Sequence, residues 1–561
     1  MSNDRYLWAR SGDVNAFFGL MLDNIAGMVL MVGLLASVFS FPVEFALRYM
    51  VPGTAIGVLV GDLLYTWLAF AHAKKTGNTQ VTAMPLGLDT PSTIGMVFLV
   101  LGPAFRNKFK ALAESASWQV DQLREAAVSN ADALEVLKQV EFDAATYAWH
   151  IGICSIFFSG IIKFGFSFCS SWIRTAVPRA GLLGSLAAIA LVLITFSPLE
   201  KVSANPIVGF TALIFVVITL LGRNKLGKMP VALGAVLAGC FVWYAMVGID
   251  KLGLDVITSE ETKATIAWFP KEWLTVFSFA WLGVLGDAVT FLPYVFPFAI
   301  ATVIGGIDCT ESAASAGDDF NTNSVIGIEA FSTLVASLCG GVIQSTPYIG
   351  HPAYKTMGGR AAYTLATALF IGGAGLIGYF GLLFQYIPEA AVMPILIFIG
   401  IEITAQSFHV TPRRHYAAIA IACLPALVKL VVIYLEQFVP YETFMSDVRI
   451  ANLKVLAGGF IITSLIWASV MAKVIDRRFI SASVYMAVGG VMILFGVIHS
   501  PIDKMYWPTD IGSFSPENQK VLIEYVIAYL LMAVILYAYG IATQGKVAVI
   551  NTDEEFEALQ D

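Results

Sequence analysis

Val81-Thr-Ala-Met-Pro-Leu-Gly-Leu-Asp-Thr-Pro-Ser-Thr93 and Val342-Ile-Gln-Ser-Thr-Pro-Tyr-Ile-Gly-His-Pro-Ala-Tyr354 are two versions of one pattern. Each is a short extended run that meets a proline, passes a glycine-containing turn and reaches a second proline that opens a helix. Proline suits a first helical turn because its missing N–H would have no intrahelical partner there. Asp89 or Thr90 in the first copy, and Gly350 or His351 in the second, stand where helix caps belong. Both copies lie in apolar surroundings, where non-helical backbone is tolerated only if it is buried in protein or lines a cavity. Proline- and glycine-interrupted segments at corresponding positions of two halves point to a transporter binding site.

Working outward, the 561 residues are 58% hydrophobic and only 13% charged, with 48 glycines. Soluble domains run nearer a quarter charged. The excess falls in repeated apolar stretches of about 20 residues, the length that crosses a ~30 Å hydrocarbon core as helix. The expected fold class is an all-α polytopic membrane protein. The net charge of −7 argues against a nucleic-acid partner. The six cysteines stand singly, without a Cys-x-x-Cys or Cys/His cluster, so neither a disulfide framework nor a metal site is expected. No hydrolase, P-loop, zinc-protease or dinucleotide fingerprint occurs, so no enzyme, catalytic residue or cofactor is expected.

Loop charge supplies an independent reading of topology. With a cytoplasmic N-terminus, Lys74/Lys75, Arg174/Arg179, Arg223/Lys225/Lys228, Arg413/Arg414 and Lys473/Arg477/Arg478 all fall inside, as the positive-inside rule requires. About sixteen crossings follow, with both termini cytoplasmic in a cell (inner or plasma) membrane. Residues 1–103 are expected to hold the first three core spans, 104–145 an extramembrane amphipathic helical insertion and 146–179 the fourth span. Residues 180–249 would be gate spans five to seven, and 250–290 an extracellular loop with an interfacial helix. Core spans eight to eleven would occupy 291–386 and gate spans 387–475. Residues 476–544 would add C-terminal spans, and 545–561 an acidic tail. On this topology the third and tenth spans run in opposite directions, so both half-helix N-termini face one midplane site and favour an anionic or strongly polar solute.

Charges inside spans are expensive and are functional candidates by default. Asp23 and Asn24 lie mid-span in the first helix, Asp62 in the second, and Asp308 and Glu311 on one face of the eighth. Such carboxylates suit proton coupling or acceptance of solute N–H groups. Glu329 and Glu402 read as structural partners or gate residues, and Lys163 as a side chain that snorkels to the interface.

Further stretches carry a family likeness: Pro178-Arg-Ala-Gly-Leu-Leu-Gly184 after Trp172-Ile-Arg174, Gly317-Asp-Asp-Phe-Asn-Thr-Asn-Ser-Val325, and Thr346-Pro-Tyr-Ile-Gly-His351 followed by Gly358-Gly-Arg360. With these residues the chain resembles the nucleobase–cation symporters, the xanthine, uracil and ascorbate permeases, and is nearest their hypoxanthine/guanine/adenine branch. The resemblance implies two inverted seven-helix repeats, with strand-plus-half-helix spans three and ten. It also implies a core moving against a gate, a homodimer in the bilayer and a nucleobase carried with H+ or Na+. About two C-terminal spans would be additional. By position, Asp308 would bind the base, and Asn24 falls where the family's first helix has a polar or histidine side chain. The two broken segments themselves add Thr90, Ser92, Thr346, Tyr348, Gly350 and His351 to the expected solute site. Asp308, Glu311 and Asp23 would couple the ion. The family's second base-binding carboxylate should fall near Gly350, which cannot supply one, and His351 is adjacent. An anion transporter of the same fold, moving bicarbonate, sulfate or a small carboxylate, is the alternative, because a carboxylate at that position would repel an anion.

Overall fold

The computed structural model describes residues 6–128, 130–170, 172, 177–218, 231–249, 268–348, 350–439, 447–502 and 506–558. Arg174, the Arg223/Lys225/Lys228 cluster, residues 250–267 of the 250–290 loop and the side chain of Glu402 lie outside the described residues. Among the described residues, seven helices are long and apolar enough to cross a membrane, or up to ten if three sharply bent pairs each count once. The chain is therefore a multi-pass α-helical membrane protein, as its apolar runs require.

The chain divides into two compact units. The first comprises Met1–Ser170, Pro198–Phe291 and Gly306–Phe398, and the second Ser171–Ser197, Leu292–Gly305 and Ile399–Asp561. In the first unit, α1 (Gly12–Phe39) and α2 (Val43–Thr76) are followed by β1 (Leu86–Leu88) and α3 (Thr90–Gly95). The helix begun by α3 continues through a π-helical turn at Met96–Leu101 into Gly102–Ser115. After α4 (Val120–Ala127) comes α5 (Ala131–Ser167), which runs without a break from the polar insertion into the apolar span. Nothing interrupts it at residue 145, because the sequence there has neither proline nor glycine to stop a helix. Residues 272–289 form short turns, Glu272–Ser278, Ala280–Val284 and Leu285–Val289, in place of one amphipathic helix.

The first unit continues with the end of α6 (Arg179–Ala204), then α7 (Pro206–Val216) and α8 (Val231–Ile249). Its later part holds the second half of α9 (Leu292–Ser315), α10 (Thr322–Leu338), β2 (Ser345–Pro347), α11 (His351–Thr356) and α12 (Ala362–Ile377). Three α2 glycines at helical spacing, Gly53, Gly57 and Gly61, let it approach closely. A Cβ on Gly53 would lie 2.2 Å from Gly341 N, one on Gly57 2.6 Å from Ala336 Cβ, and one on Gly61 2.4 Å from the Leu86 side chain.

In the second unit, the start of α6 packs against α15 (Tyr416–Phe438) and α17 (Phe460–Ile475). Small residues line that seam: Gly184 faces Ala422 and Ala468, and the Ser464 hydroxyl donates to Ala422 O at 2.6 Å. The C-terminal pair, α18 (Phe479–Leu494) and α19 (Pro516–Thr543), meets through Gly489 and Gly490 against Tyr529 and Leu530.

Candidate functional site at the crossing of two broken spans

β1 and β2 pair antiparallel, with Leu86 opposite Pro347, Gly87 opposite Thr346 and Leu88 opposite Ser345. Tyr348 N donates to Pro85 O at 2.8 Å and Asp89 N to Gln344 O at 3.0 Å, closing the two ends. In an antiparallel pair, peptide groups alternate between facing the partner and facing away. A two-stranded sheet therefore leaves two outer edges, and at membrane depth water cannot satisfy them. Side chains do so here. On the outer edge of β1, Asp62 Oδ1 accepts the Leu86 N–H at 3.0 Å, and Asn24 Nδ2 donates to Leu86 O at 3.4 Å. On the outer edge of β2, Lys163 Nζ donates to Ser345 O at 2.9 Å, joined by Thr333 Oγ1 at 3.4 Å. Pro347 has no N–H to satisfy, and its carbonyl accepts Cys309 Sγ at 3.2 Å.

Lys163 also pairs with Glu329 at 2.9 Å, both side chains fully enclosed. The expectation that Lys163 snorkels is thus corrected: a carbonyl and a carboxylate hold its ammonium inside the unit. Glu329 reads as the structural partner expected of it. Its carboxylate also meets α9, for a Cβ on Gly306 would come within 2.6 Å of Glu329 Oε2.

The two half-helices end differently. Asp89 caps α3, its Oδ2 accepting Ser92 N at 2.9 Å, while Ser92 Oγ and Thr93 Oγ1 donate back to Asp89 O. Gly350 caps α11 without a side chain. A Cβ there would meet the Tyr348 ring at 2.4 Å. One N-terminal turn thus carries its own carboxylate, and the other offers backbone alone.

A second anchor ties α11 to the segment preceding β1. His351 Nε2 lies 3.1 Å from Thr82 O and 3.3 Å from Asp318 Oδ2. Asp318 further accepts Lys355 Nζ at 2.6 Å and Thr82 N at 3.1 Å. Burial pushes the Asp318 carboxyl up, but the bonds from His351, Lys355 and the Thr82 N–H outweigh it and hold the group below the usual carboxylate range. Nothing in the sequence marked Asp318 beyond its place in Gly317–Val325.

The expected site residues fall as follows. Asp23, Asn24, Thr90, Ser92 and His351 are buried. Thr346, Tyr348, Asp308 and Glu311 are half-buried. The side chains of Asn24 and His351 are engaged by backbone carbonyls. Asp23 Oδ2 lies 3.0 Å from where a Gly87 Cβ would be, against β1. Asp308 stands beside Cys309, whose thiol touches β2, with Glu311 one turn on. Tyr348 stacks on Tyr354 with centroids 5.9 Å apart. No group of three or more His, Cys, Asp or Glu suited to a metal ion occurs among the described residues.

No family model matches the chain, and no curated protein does. Among solved structures it is similar to the transmembrane domain of a cyanobacterium bicarbonate transporter, BicA, at 14% identity and TM-score 0.43, covering 82% of this chain and 96% of that one. It is also similar to SLC26A9, at 13% identity and TM-score 0.43, covering 80% of this chain and 65% of that one. The placement among nucleobase–cation symporters is corrected on these findings: these two structures are of a bicarbonate transporter and of SLC26A9, neither of them a nucleobase permease. The physical reason is that strand-broken spans belong to an architecture, and an architecture does not name its solute.

Proposed function

We propose that this protein is a secondary transporter that moves a small anion across the bilayer together with a cation, H+ or Na+. The observation that carries the reading is the buried β1–β2 crossing: two spans lose their helical hydrogen bonds side by side, and side chains bond to backbone on both outer edges. Interrupted backbone of this kind is costly in lipid and marks solute sites in transporters. The difference between the caps favours an anion. Asp89 already supplies a carboxylate to α3, whereas α11 begins at Gly350 with no side-chain cap. Asp23, Asp308 and Glu311 line α1 and α9 near the crossing, and a cation carried with the anion would balance their charge. Thr346 and Tyr348, on and after β2, are the side chains placed to contact the solute, and the crossing would open alternately to the two sides.

The test is uptake into liposomes containing the purified protein, with labelled bicarbonate, sulfate, a small carboxylate and a nucleobase under H+ or Na+ gradients. The expected result is concentrative uptake of an anion that collapses with the cation gradient. Asp308→Asn should abolish accumulation while the protein keeps its thermal stability. Uptake of the nucleobase with no anion uptake would overturn the reading.

A further inference from the structure

The two outer edges of the β1–β2 pair are satisfied by different chemistry. On β2 a full charge pair does the work, Lys163 with Glu329. On β1 the corresponding carboxylate is Asp62, and among the described residues no Lys, Arg or His forms an ion pair with it. Asp62 Oδ1 accepts the Leu86 N–H at 3.0 Å, but Oδ2 is buried without a hydrogen-bonding partner. Asn24 reaches the same residue from α1, Nδ2 donating to Leu86 O at 3.4 Å and Leu20 O at 3.0 Å. Carbonyl oxygens only accept, so these contacts fix the orientation of the amide. Asn24 Oδ1 is then an acceptor, and it too is buried without a partner. Both side chains are 0% exposed.

Two orphaned acceptor oxygens on one strand edge, one of them ionisable and neither near a cation, leave the edge incomplete. The titratable groups that face Asp62 are Tyr65 on α2 itself, Tyr363 on α12 and Tyr354 on α11, with Glu329 on α10 next to Tyr65 and Asp23 on α1 next to Tyr354. Glu329 is already paired with Lys163. Arg48, at the start of α2, is held by Glu44 and Glu272, and Lys74 and Lys75 are exposed at the far end.

We propose that Asp62 and Asn24 together hold a small monovalent cation, H+ or Na+, at the outer edge of β1. A proton on Asp62 Oδ2 turns an acceptor into a donor and removes the charge. Sodium, a hard cation, would take the oxygens directly. Either occupant ties α1 and α2 to the strand that leads into α3. The inference rests on the cation-coupled reading for its role in transport, but the binding itself is measurable with no solute present.

The experiment is a thermal-unfolding series on purified protein. Na+ is exchanged for choline at constant ionic strength, and separately the pH is stepped between about 8 and 6 without Na+. Asp62→Asn keeps an acceptor for the Leu86 N–H and offers an amide donor in place of Oδ2, so the fold is preserved. Wild type is expected to gain at least ~3 °C in apparent Tm at saturating cation, in the sodium arm or the proton arm. Asp62→Asn is expected to lose that dependence. Equal dependence in both proteins, or none in wild type, overturns the proposal.

A second measurement on wild type avoids reliance on the variant's folding. Modification by a hydrophobic carbodiimide, mapped by mass spectrometry, should reach Asp62 and be suppressed by Na+ or by raised pH. Modification of Asp62 that ignores both, or none at all, overturns it. If the cation dependence stands while liposomes accumulate no anion, the transport reading falls and the cation site survives. If anion transport stands and Asp62→Asn keeps the full dependence, only the site falls.

Discussion

Lys163 binds a carboxylate and a backbone carbonyl at once, with its side chain fully enclosed. Removing one partner of a fully buried pair strands the other charge, which costs about 3–5 kcal/mol, whereas removing both is often close to neutral. Lys163→Met and Glu329→Gln should therefore each lower stability by roughly that amount, and the double variant by much less than their sum. Thermal or denaturant unfolding of the three variants gives the double-mutant cycle. Additive losses would mean that the two side chains do not depend on each other. At this scale the sequence marks polar groups within apolar runs but not what they touch. Asp89 or Thr90 was legible as the cap from the local signal Asp-Thr-Pro-Ser, and the structure gives that role to Asp89. Asn24 was legible as a polar group within a span and His351 as a cap or solute-site candidate, but they contact carbonyls of Leu86 and Thr82 that lie far along the chain. The Lys163–Glu329 pair was invisible because its partners lie on different helices, with no motif joining them.

Helices and strands follow from shorter-range rules, and these the sequence disclosed well. The proline- and glycine-broken copies gave both strand–half-helix segments, and apolar length gave α1 and α2. The unbroken run of α5 through residue 145 was missed because a change of polarity was read as a boundary, while helix propensity continues across it. The glycines of α2 were noted only in bulk, yet their positions set how closely it approaches the residues around it. A methyl group at Gly53 would meet backbone atoms, Gly341 N at 2.2 Å and Cys339 O at 2.3 Å, which no rotamer change can relieve. At Gly57 the one severe contact is a single methyl, Ala336 Cβ at 2.6 Å, with the next atoms at 3.4 Å, so a small shift of one backbone relieves it. Gly53→Ala should thus be the worse of the two, at or above the roughly 1–3 kcal/mol typical of overpacking, and Gly57→Ala milder. Gly165 in α5 has open space around it, so Gly165→Ala should be neutral or stabilising by up to about 1 kcal/mol. Apparent Tm values in one detergent would rank them, and an equal loss at Gly53 and Gly165 would mean that packing is not what these glycines serve.

For the molecule as a whole, each described chain end is folded into one unit. In the first, Trp8 O accepts the Ala361 and Ala362 N–H groups, both at 3.0 Å, and Tyr6 OH donates to Val81 O at 2.9 Å. Asp13 Oδ1 accepts Arg360 N at 2.8 Å and Tyr363 N at 3.1 Å, so the N-terminal segment braces the residues around the crossing. In the second unit the acidic tail returns to the loop between α14 (Glu389–Val410) and α15. Arg414 reaches Asp553 at 2.7 Å, Asp476 at 2.9 Å and Asn551 O at 3.0 Å, and His415 Nε2 lies 2.8 Å from Asp476. Burial pushes the Asp476 carboxyl up, but bonds from His415 and Arg414 hold it below its ordinary value. For Asp553, burial likewise opposes and Arg414 prevails. A carboxyl depressed in the folded state stabilises above its unfolded pKa, near 4, and loses that contribution as pH falls further. The tail contact should accordingly be intact at neutral pH and weaken only below about pH 4. Ending the chain after Gln544 mimics that loss at neutral pH. Hydrogen exchange should then rise around Arg413–His415 and Asp476 while staying unchanged around Val81–Asp89. Equal loosening at both places would show that the tail supports more than its own unit. No change at either would show that the Arg414 contacts hold the loop without it, through Asp476 alone.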